Sequence, residues 1–135
     1  MILTDAGPLV ALIDRGEPDH ARCRKALRTL TGPMLTTWPA FTEAMYLLGD
    51  ASGWSGQEPL WRLVRRADLQ IAESGARTID RMAALMARYR DLPMDLADAS
   101  LVALAEERGL SRVFTLDRHF RAYRAARGKA FSVVP

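Results

Sequence analysis

The chain has 135 residues and a mass of 15.0 kDa, which is enough for one domain with a buried core and too little for two. Its 49% hydrophobic and 26% charged content is ordinary for a globular protein, and no apolar run approaches the length of a membrane span. A single cysteine excludes an internal disulfide, so we expect a reducing, cytoplasmic location with neither a membrane anchor nor a signal peptide.

The charge balance favours a polyanionic partner, although only weakly. The net charge is +3 and the sequence pI is about 9.5. All but two of the 19 basic residues are arginine, whose planar fork suits phosphate recognition. A chain rich in alanine and arginine can equally reflect a GC-rich genome, so both explanations remain open.

The first predicted elements place an acid at a strand end. Residues 1–3 predict a short buried strand, and residues 8–13 predict a helix, because proline fits the first helical turn. Asp5 then lies between them, at the edge of an open α/β sheet where ligands bind. Aspartate is also a favoured N-cap residue, so Asp5 has a structural explanation as well.

Strands and helices alternate along the rest of the chain. The patterns predict helices at 20–30, 38–49, 60–66, 76–90, 96–108 and 120–126, and strands at 34–37, 69–72, 112–115 and 131–134. The stretch GDASGWSGQEP, residues 49–59, predicts a loop. Such alternation is typical of a parallel sheet covered on both faces, so we expect one α/β domain over residues 1–135.

A second strand end repeats the pattern around Asp5. In RVFTLDRHF, an apolar strand is followed by Thr115, Leu116 and Asp117 and then by a predicted helix. Two strands of one parallel sheet would therefore each deliver an aspartate at their carboxyl ends. If the two strands are neighbours, the two carboxylates face one cleft.

Glu43 is the unusual residue of the helix WPAFTEAMYLLGD. This helix is apolar nearly all round, so an ordinary solvated face is not expected there. A carboxylate in such a position must be paired or must line a polar pocket. A salt bridge to an arginine and a functional role are both consistent with the sequence.

Two further acids begin the predicted helix over residues 96–108. Asp95 is the expected N-cap, and Asp98 would lie in the first turn as in a capping box. Capping and the helix dipole are sufficient to explain both residues. Asp98 also projects from a helix start, where strand ends and helix starts meet in such folds.

Carboxylates that converge raise one another's pKa unless a cation lies between them. Hard oxygen ligands without a His or Cys cluster suit Mg²⁺ or Mn²⁺ rather than zinc, and His20 and His119 lack metal-ligand spacing. A metal held in this way supports phosphoryl chemistry, because it neutralises the phosphate and activates a bound water.

Four segments together carry a resemblance to a known family. TDAGPLVALID, TEAMYLL, DLADASLVALAEERG and FTLDRHF resemble a PIN-domain ribonuclease, in particular the VapC-like toxins of bacterial toxin–antitoxin pairs. The resemblance spans essentially the whole chain, with the four segments in order and in register. It implies a three-layer α/β/α sandwich around a parallel sheet of about five strands. It also implies Mg²⁺- or Mn²⁺-dependent cleavage of RNA, inhibition by a small antitoxin and usually a homodimer.

The resemblance assigns candidate site residues one by one. The family's acidic positions match Asp5, Glu43, Asp98 and Asp117, and a hydroxyl position beside the site matches Thr115. Asp95 matches no core position and is left as a cap. Ala6 and Gly7 stand where many members have a Ser or Thr, which removes an auxiliary hydroxyl and leaves the metal ligands intact.

The mechanism expected from the acids and the resemblance is hydrolysis of a phosphodiester. Asp5, Asp98 and Asp117 would hold one or two metals, while Glu43 would bind metal or orient the attacking hydroxide. In-line attack on phosphorus would release a 3′-hydroxyl and leave a 5′-phosphate.

Two groups of residues are weaker candidates for binding RNA or protein. Arg118, Arg121 and Arg124 would form a basic stripe at helical spacing, although a solvated helix face explains them equally. Trp54 and Trp61 could stack bases or receive an antitoxin helix, and core or dimer packing is the alternative.

Three other functions share some of these sequence features. A receiver-like signalling domain needs an aspartate after its middle strand, and ADLQIAESG supplies none. A non-enzymatic RNA-binding scaffold of the same fold is disfavoured by the four intact acids. A PIN nuclease that matures RNA without arresting growth is not distinguished from a toxin by any residue.

Overall fold

Five short parallel strands form a single sheet at the centre of the computed structural model, which describes residues 1–135. The sheet order is β3-β2-β1-β4-β5. In register, Leu3 lies opposite Leu35 on one side and Val113 on the other. The strands are β1 (Ile2–Thr4), β2 (Met34–Thr37), β3 (Leu69–Ala72), β4 (Arg112–Phe114) and β5 (Ser132–Val134).

Helices cover both faces of this sheet. They are α1 (Ala6–Ile13), α2 (His20–Leu27), α3 (Trp38–Ser52), α4 (Trp54–Arg65), α5 (Ala76–Arg88) and α6 (Leu96–Arg108). One apolar cluster packs α1–α4 against the sheet, and a second packs α5 and α6. The predicted α/β/α sandwich is therefore confirmed. None of these helices combines the length and the apolar character needed to cross a membrane.

The sheet order creates a switch point at β1. The chain moves from β1 outward to β2 and β3, then returns to place β4 on the opposite side of β1. The crevice at the carboxyl ends of β1 and β4 is the position where open α/β sheets bind ligands. Asp5 comes directly after β1, and Asp117 comes three residues after β4. The two strands are paired, so the condition for their aspartates to share one cleft is met.

Helix α6 carries Asp98 into the interior because most of the helix surface is covered. Residues 97–105 are all buried, in a segment rich in alanine, leucine and valine. The hydroxyls of Ser100 in α6 and Thr37 at the end of β2 are hydrogen-bonded at 2.6 Å. This contact ties the first turns of α6 to the carboxyl edge of the sheet.

The predicted loop over residues 49–59 is wrong, because α3 and α4 run through it. Only Gly53, with a φ of 61°, interrupts the helices. Gly56 is used for close packing rather than for a turn, since a Cβ there would lie 2.9 Å from the Leu48 carbonyl oxygen. The glycines in this stretch therefore let two helices approach each other, a use that local sequence does not distinguish from a loop.

The predicted helix over residues 120–126 is also wrong. The chain instead forms two short 3₁₀ turns, Arg118–Arg121 and Ala126–Gly128. The guanidinium of Arg124 donates to the carbonyl oxygens of Arg121, Ala122 and Tyr123, which are acceptors that a continuing helix would use. A bridge from Arg124 to Ala130 then turns the chain back toward β5.

Candidate active site

We call the crevice at the carboxyl ends of β1 and β4 the acidic crevice. Asp5 lies there, directly after β1, and is only 8% exposed. One carboxylate oxygen accepts the backbone N–H of Ala6 at 2.8 Å, so the predicted capping contact is present. The other oxygen accepts the Thr115 hydroxyl at 2.9 Å. Helix capping therefore uses one half of the carboxylate, and the second half is held toward the end of β4.

Thr115 connects the two strand ends through its hydroxyl. It donates to Asp5 and accepts the backbone N–H of Asp117 at 3.0 Å. Asp117 is half-buried, and its Oδ1 accepts the backbone N–H of His119 at 2.9 Å. The His119 ring lies beside the same oxygen, with Nδ1 at 3.3 Å. These contacts fix the Asp117 carboxylate relative to Asp5.

Asp95 and Asp98 form the predicted capping box at the start of α6. Asp95 accepts the Asp98 N–H at 2.8 Å, and Asp98 Oδ2 accepts the Asp95 N–H at 3.4 Å. Asp98 Oδ2 also accepts the hydroxyl of Tyr123 at 3.2 Å. Burial and the neighbouring Asp98 raise the pKa of the Tyr123 hydroxyl, so it stays protonated and remains the donor.

Glu43 lies on the open side of the crevice. It is exposed and forms no ion pair with an arginine or lysine, so the salt-bridge explanation has no support. Partial burial raises the pKa of its carboxyl group, and the charges of Asp5, Asp95 and Asp117 raise it further. The electrostatic effect of these three aspartates places Glu43 in the same acidic group.

The five carboxylates form one electrostatic unit without a lysine or arginine partner. Burial raises the pKa of Asp5, and Asp117 and Asp95 add to the increase. Burial followed by Asp95 and Asp5 raises the pKa of Asp98 to about 8. No lysine or arginine forms an ion pair with any of the five, and His119 is the sole nearby cation when protonated.

This group fits a divalent cation by the chemistry of its donors. Hard carboxylate oxygens that repel one another and lack a lysine or arginine partner are suited to Mg²⁺ or Mn²⁺. No three of the side chains are spaced so that they could enclose an ion by themselves. Mg²⁺ commonly uses one or two carboxylates and keeps several waters, so the donor set matches that mode of binding.

Replacing Asp98 with Asn should stabilise the protein in EDTA at alkaline pH. The raised pKa of Asp98 means that the unfolded chain ionises first, near pH 4, while the folded state keeps its proton up to about pH 8. The Asp98 carboxyl group therefore contributes fully to the free energy of unfolding below pH 4, and this contribution is lost as the pH rises to 8. Asparagine can accept both hydrogen bonds of Asp98 Oδ2 without a charge.

The expected gain for Asp98→Asn is at least about 1 kcal/mol at pH 8, or about 4 °C in Tm, shrinking toward zero near pH 4. Thermal melts in EDTA across this pH range measure it. Asp80→Asn on the exposed side of α5 is the control and should leave the Tm unchanged at every pH. Equal melting temperatures of wild type and Asp98→Asn at pH 8 would contradict the raised pKa.

The predicted arginine stripe is only partly preserved. Arg118 and Arg121 are exposed on the 3₁₀ turn after Asp117, where three residues complete one turn and keep them on one side. Arg124 lies outside that turn and is half-buried, because it bonds to backbone carbonyls. The structure therefore does not place the three guanidinium groups on a single helix face.

An open groove of about 690 Å³ adjoins the acids at Glu43 and Asp95. Its rim exposes three large apolar side chains: Trp38 at 44%, Tyr46 at 71% and Leu96 at 51%.

Trp54 and Trp61, which the sequence suggested as base-stacking or antitoxin-binding residues, do not line this groove. Trp61 packs edge-on against Phe41, while Trp54 is 63% exposed. Trp61 therefore contributes to packing inside the protein, whereas the exposed Trp54 can contact a partner.

Tyr123 is a site residue that sequence analysis did not identify. It is fully buried between Tyr89 and Phe120, and it supplies a hydrogen-bond donor to Asp98. In the sequence it follows an arginine and an alanine in a segment predicted as a surface helix. A buried tyrosine hydroxyl needs a hydrogen-bond partner, and this rule could have pointed to Tyr123. However, the few residues around Tyr123 do not show from the sequence that it is buried.

This chain is similar in sequence to known proteins. The profile of the PIN-domain family matches residues 2–126. Ribonuclease VapC26 of Mycobacterium tuberculosis (strain ATCC 25618 / H37Rv) is 29% identical over 135 residues, which cover 99% of this chain and 100% of that protein.

Two solved structures share the fold. The crystal structure of Mycobacterium tuberculosis VapC20, described as a Sarcin-Ricin loop cleaving toxin, matches with a TM-score of 0.84 at 16% identity, over 90% of this chain and 94% of that chain. A chain from a toxin-antitoxin complex of Klebsiella pneumoniae matches with a TM-score of 0.65 at 18% identity, over 87% of each chain.

Proposed function

This chain belongs to the PIN-domain family, and we propose that it is a divalent-metal-dependent endoribonuclease that acts as the toxin of a bacterial toxin–antitoxin pair. The observation that carries the proposal is the group of five carboxylates at the switch point of the sheet, which no lysine or arginine neutralises. The full-length similarity to Ribonuclease VapC26 supports RNA as the substrate.

Mg²⁺ or Mn²⁺ is the proposed cofactor, and Asp5, Asp98 and Asp117 would hold it directly or through bound water, with Glu43 at the open side. When bound, such an ion neutralises charge on the scissile phosphate and lowers the pKa of a coordinated water. Asp95 keeps its capping role and adds negative charge to the group. The number of ions, one or two, is left open by this assignment.

The chain's own residues orient these ligands. The Thr115 hydroxyl holds one oxygen of Asp5 and the backbone of Asp117, so one side chain aligns two strand ends. The Tyr123 hydroxyl does the same for Asp98 from beneath the crevice. Contacts of this type commonly change metal affinity or activity by about 10- to 100-fold when they are removed.

Glu43 is the proposed proton acceptor or water-orienting group. Its raised pKa brings it closer to the operating pH, which is favourable for general base catalysis. A carboxylate oxygen of Glu43 would take a proton from the water that attacks phosphorus in line. The 3′-oxygen of the preceding nucleotide would then leave and take a proton from solvent water to become a 3′-hydroxyl, and the following nucleotide would keep a 5′-phosphate.

The proposed partners are RNA, a cognate small antitoxin and a second copy of the chain in a homodimer, all in the cytoplasm. The similarity to a chain from a toxin-antitoxin complex supports an antitoxin. Exposed Trp38, Tyr46 and Leu96 beside Glu43 support a protein partner more generally, since apolar surface of this kind is typical of interaction sites.

Inducible expression in a bacterial host tests the toxin role. Wild-type protein should arrest growth and produce discrete RNA cuts, whereas Asp5→Asn at the same protein level should do neither. Co-expression of a cognate antitoxin should restore growth, and any small reading frame next to the gene is the first candidate for it. RNA cuts without growth arrest would contradict the toxin role and favour an RNA-processing nuclease.

A further inference from the structure

A second groove, about 350 Å³ in volume, lies between α5 and the chain segment 124–128. We call it the arginine groove after the four arginines that line it: Arg81, Arg88, Arg124 and Arg127. Glu106 is the sole acid in its wall, so the lining carries a formal charge of about +3 at neutral pH. Tyr89 and the buried Leu85 supply the apolar part of the lining.

The arginines of this groove differ in whether their charge is neutralised. Arg81 forms two hydrogen bonds with Glu106, at 2.7 and 2.9 Å, and is therefore paired. Arg88, Arg124 and Arg127 have no carboxylate partner within ion-pair distance. Three positive charges of the groove are thus available to an anion.

Two of these unpaired guanidinium groups are nevertheless held in place. Arg88 lies over the ring of Tyr89, 5.2 Å from its centre. Arg124 is fixed by bonds to three consecutive backbone carbonyls. A cation that is positioned but not neutralised loses little conformational freedom when it binds an anion, which favours binding.

The arginine groove is linked to the acidic crevice only through a short chain of packed side chains. The ring of Tyr89 packs edge-on against that of Tyr123, with centres 5.1 Å apart, and the Tyr123 hydroxyl is bonded to Asp98. The carbonyl oxygen of Tyr89 also accepts the N–H groups of Leu92 and Met94, which form the turn leading to Asp95. Two aromatic rings therefore separate the groove from the candidate catalytic acids.

We propose that the arginine groove binds backbone phosphates of the RNA strand on one side of the scissile bond. This inference rests on the proposed function for its choice of RNA. The five carboxylates of the crevice repel a polyanion, so attraction for the rest of the strand must come from another surface. The planar guanidinium group of arginine matches the oxygens of a phosphate. The positioned arginines of the groove therefore supply attraction for the RNA backbone.

The test is RNA binding by the intact protein in EDTA, which keeps the strand uncut. The probe is a fluorescent single-stranded RNA of about 16 nucleotides, the upper site size of many single-strand-binding domains. The test variant is Arg88→Ala combined with Arg127→Gly. Glycine is chosen at 127 because the φ of 58° there belongs to the left-handed region.

The double variant should raise the Kd for RNA about tenfold and reduce the slope of log K against log salt by about 1.4, since each single-strand phosphate contact contributes about 0.7. Arg88→Lys with Arg127→Lys should recover most of the slope. Arg24→Ala with Arg28→Ala is the matched control, because it removes two exposed, unpaired arginines from the α2 region. It should change Kd less than about twofold.

Equal weakening by both double variants, or an unchanged Kd in the groove variant, would overturn the proposal. The binding measurement needs no cleavage. A protein that binds RNA through the groove but cuts none would therefore contradict the proposed nuclease activity and leave the groove assignment standing.

Discussion

Asp5→Asn is expected to reduce the rate of RNA cleavage at least about 1,000-fold, which corresponds to about 4 kcal/mol of transition-state stabilisation. Asp5 is buried in the crevice, contacts Thr115 and lies within the electrostatic influence of Asp95 and Asp117. Asparagine loses the negative charge and offers one carbonyl oxygen in place of two carboxylate oxygens. The measurement is the initial rate of cleavage of cellular RNA in Mg²⁺ or Mn²⁺.

The same substitution should leave the fold intact. The loss of activity can then be assigned to the catalytic role of Asp5 and not to its role as the N-cap of α1. Asparagine can accept the Ala6 N–H through its oxygen and donate to the Thr115 hydroxyl through its amide, so both contacts survive. The melting temperature should change by no more than about 4 °C, or about 1 kcal/mol.

Asp19→Asn is the matched control for Asp5→Asn. Asp19 is the N-cap of α2 and makes no side-chain capping bond. The control should cleave RNA at the wild-type rate. An Asp5→Asn protein that also retains the wild-type rate would mean that Asp5 serves α1 only as a cap.

The acids were predictable from the sequence because their positions depend on local rules. Asp5 and Asp117 each follow an apolar strand, and the carboxyl ends of adjacent parallel strands share one edge. Asp95 and Asp98 fit the capping-box spacing, and the structure contains that box. Each of these inferences needed only a few consecutive residues, together with the rule that strands alternating with helices form a parallel sheet.

The contacts that connect the acids depend on residues far apart in the chain. Thr115 bonds to Asp5 across 110 positions, and Tyr123 reaches Asp98 from a segment with no regular helix. Neither partner can be identified from periodicity. The resemblance to PIN domains singled out Thr115 as a hydroxyl position, but nothing in the sequence distinguished Tyr123 from a surface aromatic.

The two wrong element predictions also have physical causes, one tertiary and one local. Gly56 was counted as a turn former, whereas its missing side chain allows α4 to approach the backbone of α3. Arg124 was counted as part of a helix face, whereas it bonds to the carbonyls that the helix would have used. Packing against another helix overrode the local pattern at Gly56, and side-chain hydrogen bonds within residues 121–124 overrode it at Arg124.

Removal of divalent metal is expected to have an effect as large as the loss of Asp5. Five carboxylates without a lysine or arginine partner repel both one another and an RNA phosphate, so the crevice needs a cation to bring the two together. EDTA should therefore reduce cleavage at least about 1,000-fold. Excess Mg²⁺ or Mn²⁺ should restore it with a saturable dependence on the ion concentration.

The decisive measurement is the rate at which the wild-type protein cleaves cellular RNA under three conditions: with Mg²⁺ or Mn²⁺, in EDTA, and after the metal is restored. The Asp5→Asn protein is treated in parallel to detect a contaminating nuclease. We predict discrete cuts that disappear in EDTA, return with metal and are absent from the Asp5→Asn reactions throughout. Cleavage that continues unchanged in EDTA, or no cleavage under any of these conditions, would contradict a metal-dependent ribonuclease built on these acids.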